Sequence, residues 1–463
     1  MAAEQAKFLE GNLFRHVSVM SLTASVGLMS LFLVDFVDMI FISMLGKSEL
    51  AAAVGYAGAI LFFTTSFGIG MAIAAGSLVA RALGAGDAQM AQRRAATSLL
   101  YGVIFGAVFA ALVWVYIRPL TAFLGASGET LDLAVTYLRI IVPSLPLLLI
   151  GMVGGAILRA HGDAKRAMFA TLAAGAVNAA LDPVLIFGFG LDLTGAALAS
   201  VASRVAIAVM SVLPILRYHG GFARPTKEEF SVDFPAIAAI AIPAILTQLA
   251  TPVGQAFITR TMAQFGEEAI AGMAIIGRLV PISFGALFAL SGAVGPIIGQ
   301  NFGAGRHDRV RTAFASAVLF AALFVIGMSL LLFLLRDPIA GLFNAEGMTL
   351  TLIYLFCGPL ALAFFFNGLM FVSNAAYNNL GHPFYSTWIN WGRHTLGTIP
   401  FALLGAAWFG APGVLIGAYS GGLIFGLGST LLALRLMKQN ETPSDRPPFQ
   451  RQARLLALFN LRR

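Results

Sequence analysis

The feature that most constrains this chain is its division into long apolar blocks. A helix crosses a bilayer with ~20 mostly apolar residues. Blocks of that length run over 17–45, 50–80, 95–117, 131–158, 165–189 and 194–216. A polar stretch, 217–233, follows, and six more blocks lie over 234–260, 268–300, 310–335, 348–373, 384–408 and 412–437. Only 11% of the residues are charged and 59% are hydrophobic, whereas a soluble domain carries about 25% and 45–50%. The expected fold class is therefore an all-α polytopic membrane protein, with twelve transmembrane helices in two pseudo-symmetric six-helix lobes. The 50 glycines fit, because helices in lipid approach closely through small residues. The blocks 17–45 and 268–300 exceed the bilayer thickness, so they must tilt, kink or project. The first is too long for a signal-peptide core and is expected to be retained.

The net charge of +8 is distributed as a topology signal. With both termini cytoplasmic, only Lys47, Arg118, Arg260 and Arg336 fall outside, while Arg139, Arg204, Arg278 and Arg393 fall within spans. The rest of the 29 Lys and Arg residues lie inside, as the positive-inside rule requires. The basic charge thus faces anionic lipid, and no nucleic-acid partner is expected. The chain divides into a cytoplasmic segment 1–16, an N-lobe 17–216, a linker 217–233, a C-lobe 234–437 and a basic tail 438–463. Within the tail, Leu455, Leu456, Leu458 and Phe459 alternate with arginines. It reads either as an amphipathic helix on the inner leaflet or as a solvated segment.

The chain repeats itself. Residues 76–86 read GSLVARALGAG and 295–305 read GPIIGQNFGAG, with Gly84 matching Gly303 and Gly86 matching Gly305 at one offset of 219 residues. The same offset places Gly162 on Gly381. Each half holds an even number of spans, so the repeats run parallel about an axis along the membrane normal, an arrangement from which transporters build a cavity at the repeat interface.

The chemistry available is narrow. Gly46-Lys47-Ser48 has Phe41 where a phosphate-binding loop needs its first glycine, so no nucleotide is cradled. Cys357 is the only cysteine, which excludes an intrachain disulfide and a cysteine metal site. His161, His219, His307 and His382 lie in loops, His16 opens the first span, and His394 sits in a span beside Arg393. No converging nucleophile, base or metal-ligand set is present, so the protein is expected not to be an enzyme and to use no cofactor. Without a nucleotide site, transport must draw on an ion gradient.

Of 21 acidic residues, Asp35, Asp38 and Asp182 sit well inside apolar spans. Burying a carboxylate in lipid is costly, which makes such residues functional candidates. Asp35 and Asp38 are three residues apart and share a helix face. Asp35 is also compatible with facing a water-filled cleft or pairing with Arg204. Asn178 and Asp182 are i, i+4 neighbours, and Pro183 removes a backbone donor and favours a kink there. A kinked helix presenting a carboxyl and a carboxamide can hold H⁺ or Na⁺. An offset of about 219 puts Asp38 at Phe257 or Ile258 and Asp182 at Phe401. A structural need common to both halves would not leave that asymmetry, so the cation site belongs to the N-lobe alone.

The segment 37–46 (VDMIFISMLG), the Asn178-x-x-x-Asp182-Pro183 element with Ile186-Phe187-Gly188, and the repeated Gly-Ala-Gly loops resemble the multidrug and toxic compound extrusion (MATE) family. The likeness covers about residues 10–437. The absence of acids well inside the C-lobe spans makes the chain more similar to the DinF-like branch than to the NorM-like one. The resemblance implies a secondary active antiporter of the bacterial inner membrane. It would export organic cations or amphipathic compounds by alternating access in exchange for H⁺, or for Na⁺, and would act as a monomer. By position, Asp38, Asn178 and Asp182 match the family's N-lobe cation site. Its sixth-helix hydroxyl falls on Ser200, where threonine is common, and the extra Asp35 departs from the pattern. Aromatic faces attract organic cations and methionines adapt to varied shapes. The candidate substrate contacts are accordingly Phe62, Phe63, Met71, Phe284, Phe288, Phe364, Phe365, Met370 and Trp391, with Arg278 as a central charge. The alternative is a lipid-linked oligosaccharide flippase on the same plan, with Arg204, Arg278 and Arg393 lining a cationic cavity.

Overall fold

A computed structural model describes residues 6–439; residues 1–5 and the tail sequence from 440 onward, including its amphipathic segment, lie outside the described residues. The long helices are α1 (Leu13–Met44), α2 (Ser48–Gly84), α3 (Ala88–Val115), α4 (Gly128–Ala160), α5 (Ala164–Gly188) and α6 (Asp192–Tyr218). The second set is α7 (Lys227–Met262), α8 (Glu267–Gly303), α9 (His307–Leu334), α10 (Gly347–Asn379), α11 (384–409) and α12 (411–439). Every expected block is helical, the 384–408 block with a break at 395–398, and most ends extend a few residues beyond the apolar stretch.

The last two helices are continuous in hydrogen bonding but not in direction. Gly410 has φ 65° and ψ −142°, a conformation closed to other L-residues without strain, and there the chain doubles back. The register of the resulting hairpin is legible in its glycines. A Cβ on Gly405 would overlap the carbonyl of Gly413, one on Gly417 that of Phe401, and one on Gly421 that of Gly397. Backbones thus touch at regular intervals, which is how helices associate when no hydrophobic driving force distinguishes protein from lipid.

The offset of 219 is also structural. α2 and α8 share it at both ends, as do α3 and α9. The short helices Ile117–Phe123 and Arg336–Leu342 obey it too. The left-handed Gly125 (φ 104°) is matched by Asn344 (φ 45°), asparagine being the side chain that best tolerates that region.

Among the described residues two compact units result, one built on Val26–Ile245 and the other on Phe8–Ser25 with residues 246–439. The first parts of α1 and α7 therefore pack with the opposite repeat, which the sequence boundaries at 17 and 234 did not anticipate. In unit 2, the Phe8 N–H donates to Gln300 Oε1 (2.9 Å), and its carbonyl accepts from Asn301 Nδ2 (3.1 Å) and Arg309 Nη2 (3.1 Å). In unit 1, fully buried Asp233 is held by Arg93 (3.2 Å), Arg94 (3.1 Å) and the Thr97 hydroxyl (3.0 Å). Asp233 belongs to α7 and not to a linker. Thr226 and Glu229 form a reciprocal capping box, with Thr226 N–H to Glu229 Oε2 at 2.8 Å and Glu229 N–H to Thr226 Oγ1 at 3.2 Å. That cap starts the helix seven residues before the apolar run.

Asp163, in the loop before α5, caps that helix through the Arg166 N–H (3.2 Å) and also meets the Arg166 guanidinium and His219 Nε2 (3.0 Å). Burial opposes its ionisation, but the hydrogen bonds from His219 and Arg166 outweigh it and hold the carboxyl well below the usual carboxylate range. The stability this contributes is therefore present above the unfolded value of about 3.9 and is lost as pH falls below it. Asp163→Ala removes a helix cap worth about 1 kcal/mol as well. Thermal unfolding in detergent is expected to show Asp163→Ala melting several degrees below the parent at pH 7, with the gap narrowing below pH 4. A gap that widens on acidification would contradict the ion-pair account.

Candidate functional site

The candidate site lies within unit 1 and is assembled by close approach of α1 to α5. Gly27 lets α1 rest on Thr171, and Gly175 lets Val34 rest on α5, at 3.3 Å and 3.2 Å from an added Cβ. Phe41 and Phe187 then meet edge to face at 5.9 Å. Between these contacts α1 delivers Asp38 to Asp182. The two carboxyls lie within hydrogen-bonding reach of each other. Asp182 is fully buried and Asn178 nearly so, and Asn178 Nδ2 donates to Asp182 Oδ2 at 3.0 Å. The Oδ1 atoms of both aspartates are buried without any other donor. Ionised carboxylates only accept hydrogen bonds, so such a pair is satisfied by a shared proton or by a cation between its oxygens.

The backbone is adapted to this cluster. After Pro183, α5 continues as a wide π turn over Val184–Gly188. A π turn within a helix frequently marks a functional site. Gly195 of α6 packs against that turn so tightly that an added Cβ would lie 2.7 Å from the Leu185 carbonyl carbon.

Tyr137 is a member of the site that the sequence did not single out. It is buried, within hydrogen-bonding reach of Ser200, and in electrostatic contact with Asp38, Asp182 and Arg204. It also lines a cavity of about 240 Å³ whose rim carries Lys47, Glu129 and Asp192, of which Lys47 and Asp192 pair at 3.7 Å. One phenol thus lies in the electrostatic field of the acidic pair and lines an opening that carries charge. A tyrosine in an apolar span carries no signal by itself, since aromatic residues are common there.

The other predicted residues are placed as follows. Ser200 reaches the cluster through Tyr137. Asp35, one turn before Asp38, is exposed and stands outside the buried pair, though within electrostatic range of Asp38. Arg204 makes no ion pair with Asp35; its Nη1 donates to the Ile141 carbonyl and Ser144 Oγ, both at 2.9 Å. Met71, Phe284, Phe364 and Met370 are buried inside their units, and Phe284 stacks on Phe364 at 4.2 Å. Those four are packed among their neighbours in this structure, where almost no surface of them is open to a ligand. Their side chains sit on faces that the apolar pattern alone cannot distinguish from cavity walls. Phe62, Phe63 and Arg278 are exposed, and Phe288, Phe365 and Trp391 half-buried.

Among the described residues, twelve long helices fall into two repeated sets, long and apolar enough to cross a membrane, and one unit holds the close Asp38–Asp182 pair; that is the architecture of a polytopic membrane protein. A family model described as MatE matches residues 24–184 and again 243–404, which reproduces the internal duplication, and the chain belongs to the MATE family. It is 31% identical over 428 residues to a protein of Shewanella oneidensis named FAD transporter, spanning 90% of this chain and 93% of that one. It is 28% identical over 353 residues to the multidrug export protein MepA of Staphylococcus aureus, spanning 75% and 77%. Among solved structures, a mutant of the Vibrio cholerae MATE transporter VcmN superposes with a TM-score of 0.87 at 24% identity, over 92% of this chain and 97% of that one. A further MATE crystal structure superposes with a TM-score of 0.88 at 22% identity, over 96% and 100%. These likenesses establish the fold.

Proposed function

We propose that the protein is an H⁺-coupled antiporter that exports organic cations or amphipathic compounds by alternating access, with both termini cytoplasmic. The observation that carries this reading is the Asp38–Asp182 pair, whose buried oxygens call for one shared proton or a cation. Protonation removes charge from the site and changes which packing of α1 and α5 is favoured. Asn178 holds Asp182 in both protonation states, because its amide donates to either. Tyr137 and Ser200 connect the pair to the charged rim of the unit 1 cavity. Exchange is coupled only when ion and cargo prefer different conformations, since a ligand with equal affinity for both shifts nothing. Phe62, Phe63, Phe288, Phe365, Trp391 and Arg278 are the proposed cargo contacts. The lack of acids well inside the apolar spans of the C-terminal half supports a place in the DinF-like branch.

The test is ethidium efflux from proteoliposomes with pH and sodium gradients imposed separately, and with FAD as a comparison cargo. Efflux driven by the pH gradient alone is the expected result. Dependence on sodium alone would replace H⁺ by Na⁺ at the same oxygens, and FAD transport without ethidium transport would replace the cargo class.

A further inference from the structure

The acidic pair leaves unexplained a half-buried cation in unit 2, Arg393. We propose that Arg393, Asn367 and the surface of Gly422 form a binding site for a phosphate-class oxyanion. The site is independent of the coupling site in unit 1.

Arg393 lies nine residues into α11, ~14 Å along a helix axis and so near the middle of the span. Among the described residues its side chain makes no ion pair or hydrogen bond, and its Nε is buried without a partner. Asn367 of α10 is 4% exposed, and its Oδ1 is likewise buried without a partner. Both atoms converge on one spot: a Cβ built on Gly422 of α12 would sit 3.9 Å from Arg393 Nε and 4.0 Å from Asn367 Oδ1 and touch nothing nearer. Tyr419 is the phenol in electrostatic contact with the guanidinium.

The backbone supports the same conclusion. α11 is interrupted here: His394 ends the helical run, Thr395 and Thr398 bond back to Trp391 and Arg393 carbonyls at 2.6 Å and 2.9 Å, and the helix resumes at Ile399. Irregular backbone at membrane depth is tolerated where it lines a cavity or a site, and broken helices are where transporters hold their ligands. The repeat supplies a control. At the offset of 219, unit 1 has Ala174, Leu148 and Ser203 in these positions, and there Ser203 Oγ closes the spot by donating to the Ala174 carbonyl at 2.9 Å. Unit 2 has exchanged that closed arrangement for a cation, an amide and a glycine.

The pairing of donor and acceptor selects the ligand. The half-buried Arg393 keeps its Nε–H buried and unsatisfied, a donor that calls for an acceptor, and the planar fork of the guanidinium suits an oxyanion. Chloride would leave Asn367 Oδ1 unsatisfied. Hydrogen phosphate or a phosphate monoester satisfies both, accepting from Arg393 and donating its P–OH to Oδ1.

The test uses the purified full-length chain in phosphate-free detergent buffer near neutral pH, where the P–OH is present. Inorganic phosphate, adenosine monophosphate, sulfate and chloride are titrated separately by calorimetry and by the fluorescence of Trp388 and Trp391 on α11. Saturable binding of phosphate or the monophosphate is expected, weakened about tenfold or more by Arg393→Gln and by Gly422→Val, which blocks the spot without removing charge. Binding of both probes, or of inorganic phosphate alone, marks a free-ion site. Binding of the monophosphate alone marks a site for the phosphate end of a larger cargo. Either upholds the proposal. Should Arg393→Gln fail to fold, judged by size exclusion, Gly422→Val alone decides. Absence of binding, binding unaffected by the folded variants, or chloride or sulfate binding as tightly as phosphate would each overturn it.

Discussion

Replacing Asp38 with Asn is expected to abolish drug-stimulated proton movement in proteoliposomes while leaving a folded protein. The reasoning begins with α1 and α5, which place the Asp38 and Asp182 carboxyls within hydrogen-bonding reach. An amide at 38 still fills the space and still bonds, but it cannot take up and release a proton in the working pH range. The two conformations then no longer differ in proton affinity, and the gradient loses its hold on the equilibrium. The predicted loss of coupled flux is at least ~10-fold, because a ligand without differential affinity shifts no population. Asp182→Asn should match it, and the double variant should be no worse than either single one, since the pair acts as one unit. Asn178→Ala should do less, because it removes one donor and no titrating group. Intact flux in a folded Asp38→Asn protein would remove Asp38 from the coupling machinery and with it the proposed mechanism.

The second large effect concerns the α11–α12 hairpin. Gly421→Leu or Gly405→Leu is expected to leave little or no folded protein, seen as the loss of a monodisperse peak in size-exclusion chromatography. At both positions the new Cβ would overlap a backbone carbonyl of the facing helix, and backbone cannot turn aside as a side chain can. Overpacking against movable side chains costs about 1–3 kcal/mol, and here the whole hairpin must separate, so the cost exceeds that range. Gly428, on the same helix, meets nothing within 4 Å. Gly428→Leu is the matched control and should fold normally. Equal behaviour of Gly421→Leu and Gly428→Leu would show that the glycine register does not hold the hairpin.

Much of this was legible along the chain because lipid imposes a simple rule. Each crossing must satisfy its own backbone and present apolar side chains for ~20 residues, so all twelve helices could be read directly. The repeat was legible for a related reason: tight turns at helix ends need particular residues, and Gly86, Gly305, Gly162 and Gly381 all have positive φ. The carboxyls stood out because Asp is scarce at membrane depth. The capping box at Thr226–Glu229 was equally readable but was masked by the polar composition around it.

What linear pattern left undecided was which side of each helix faces what. Phe284 and Phe62 are alike in an apolar span, yet one is buried against Phe364 and the other exposed. Tyr137 joins the site only because α4 turns it toward Ser200 and the acidic pair. The exchange of the first parts of α1 and α7 between the units rests on contacts nearly 300 residues apart, such as Phe8 with Gln300. The sequence alone therefore determined the number of helices, the duplication and the confinement of acids within apolar spans to one half, since these depend on local composition and turn geometry. Only the tertiary structure decided which of those acids meet, which arginine is left facing an amide, and which aromatic residues are packing, because helix rotation and approach are set by contacts among residues far apart in the chain.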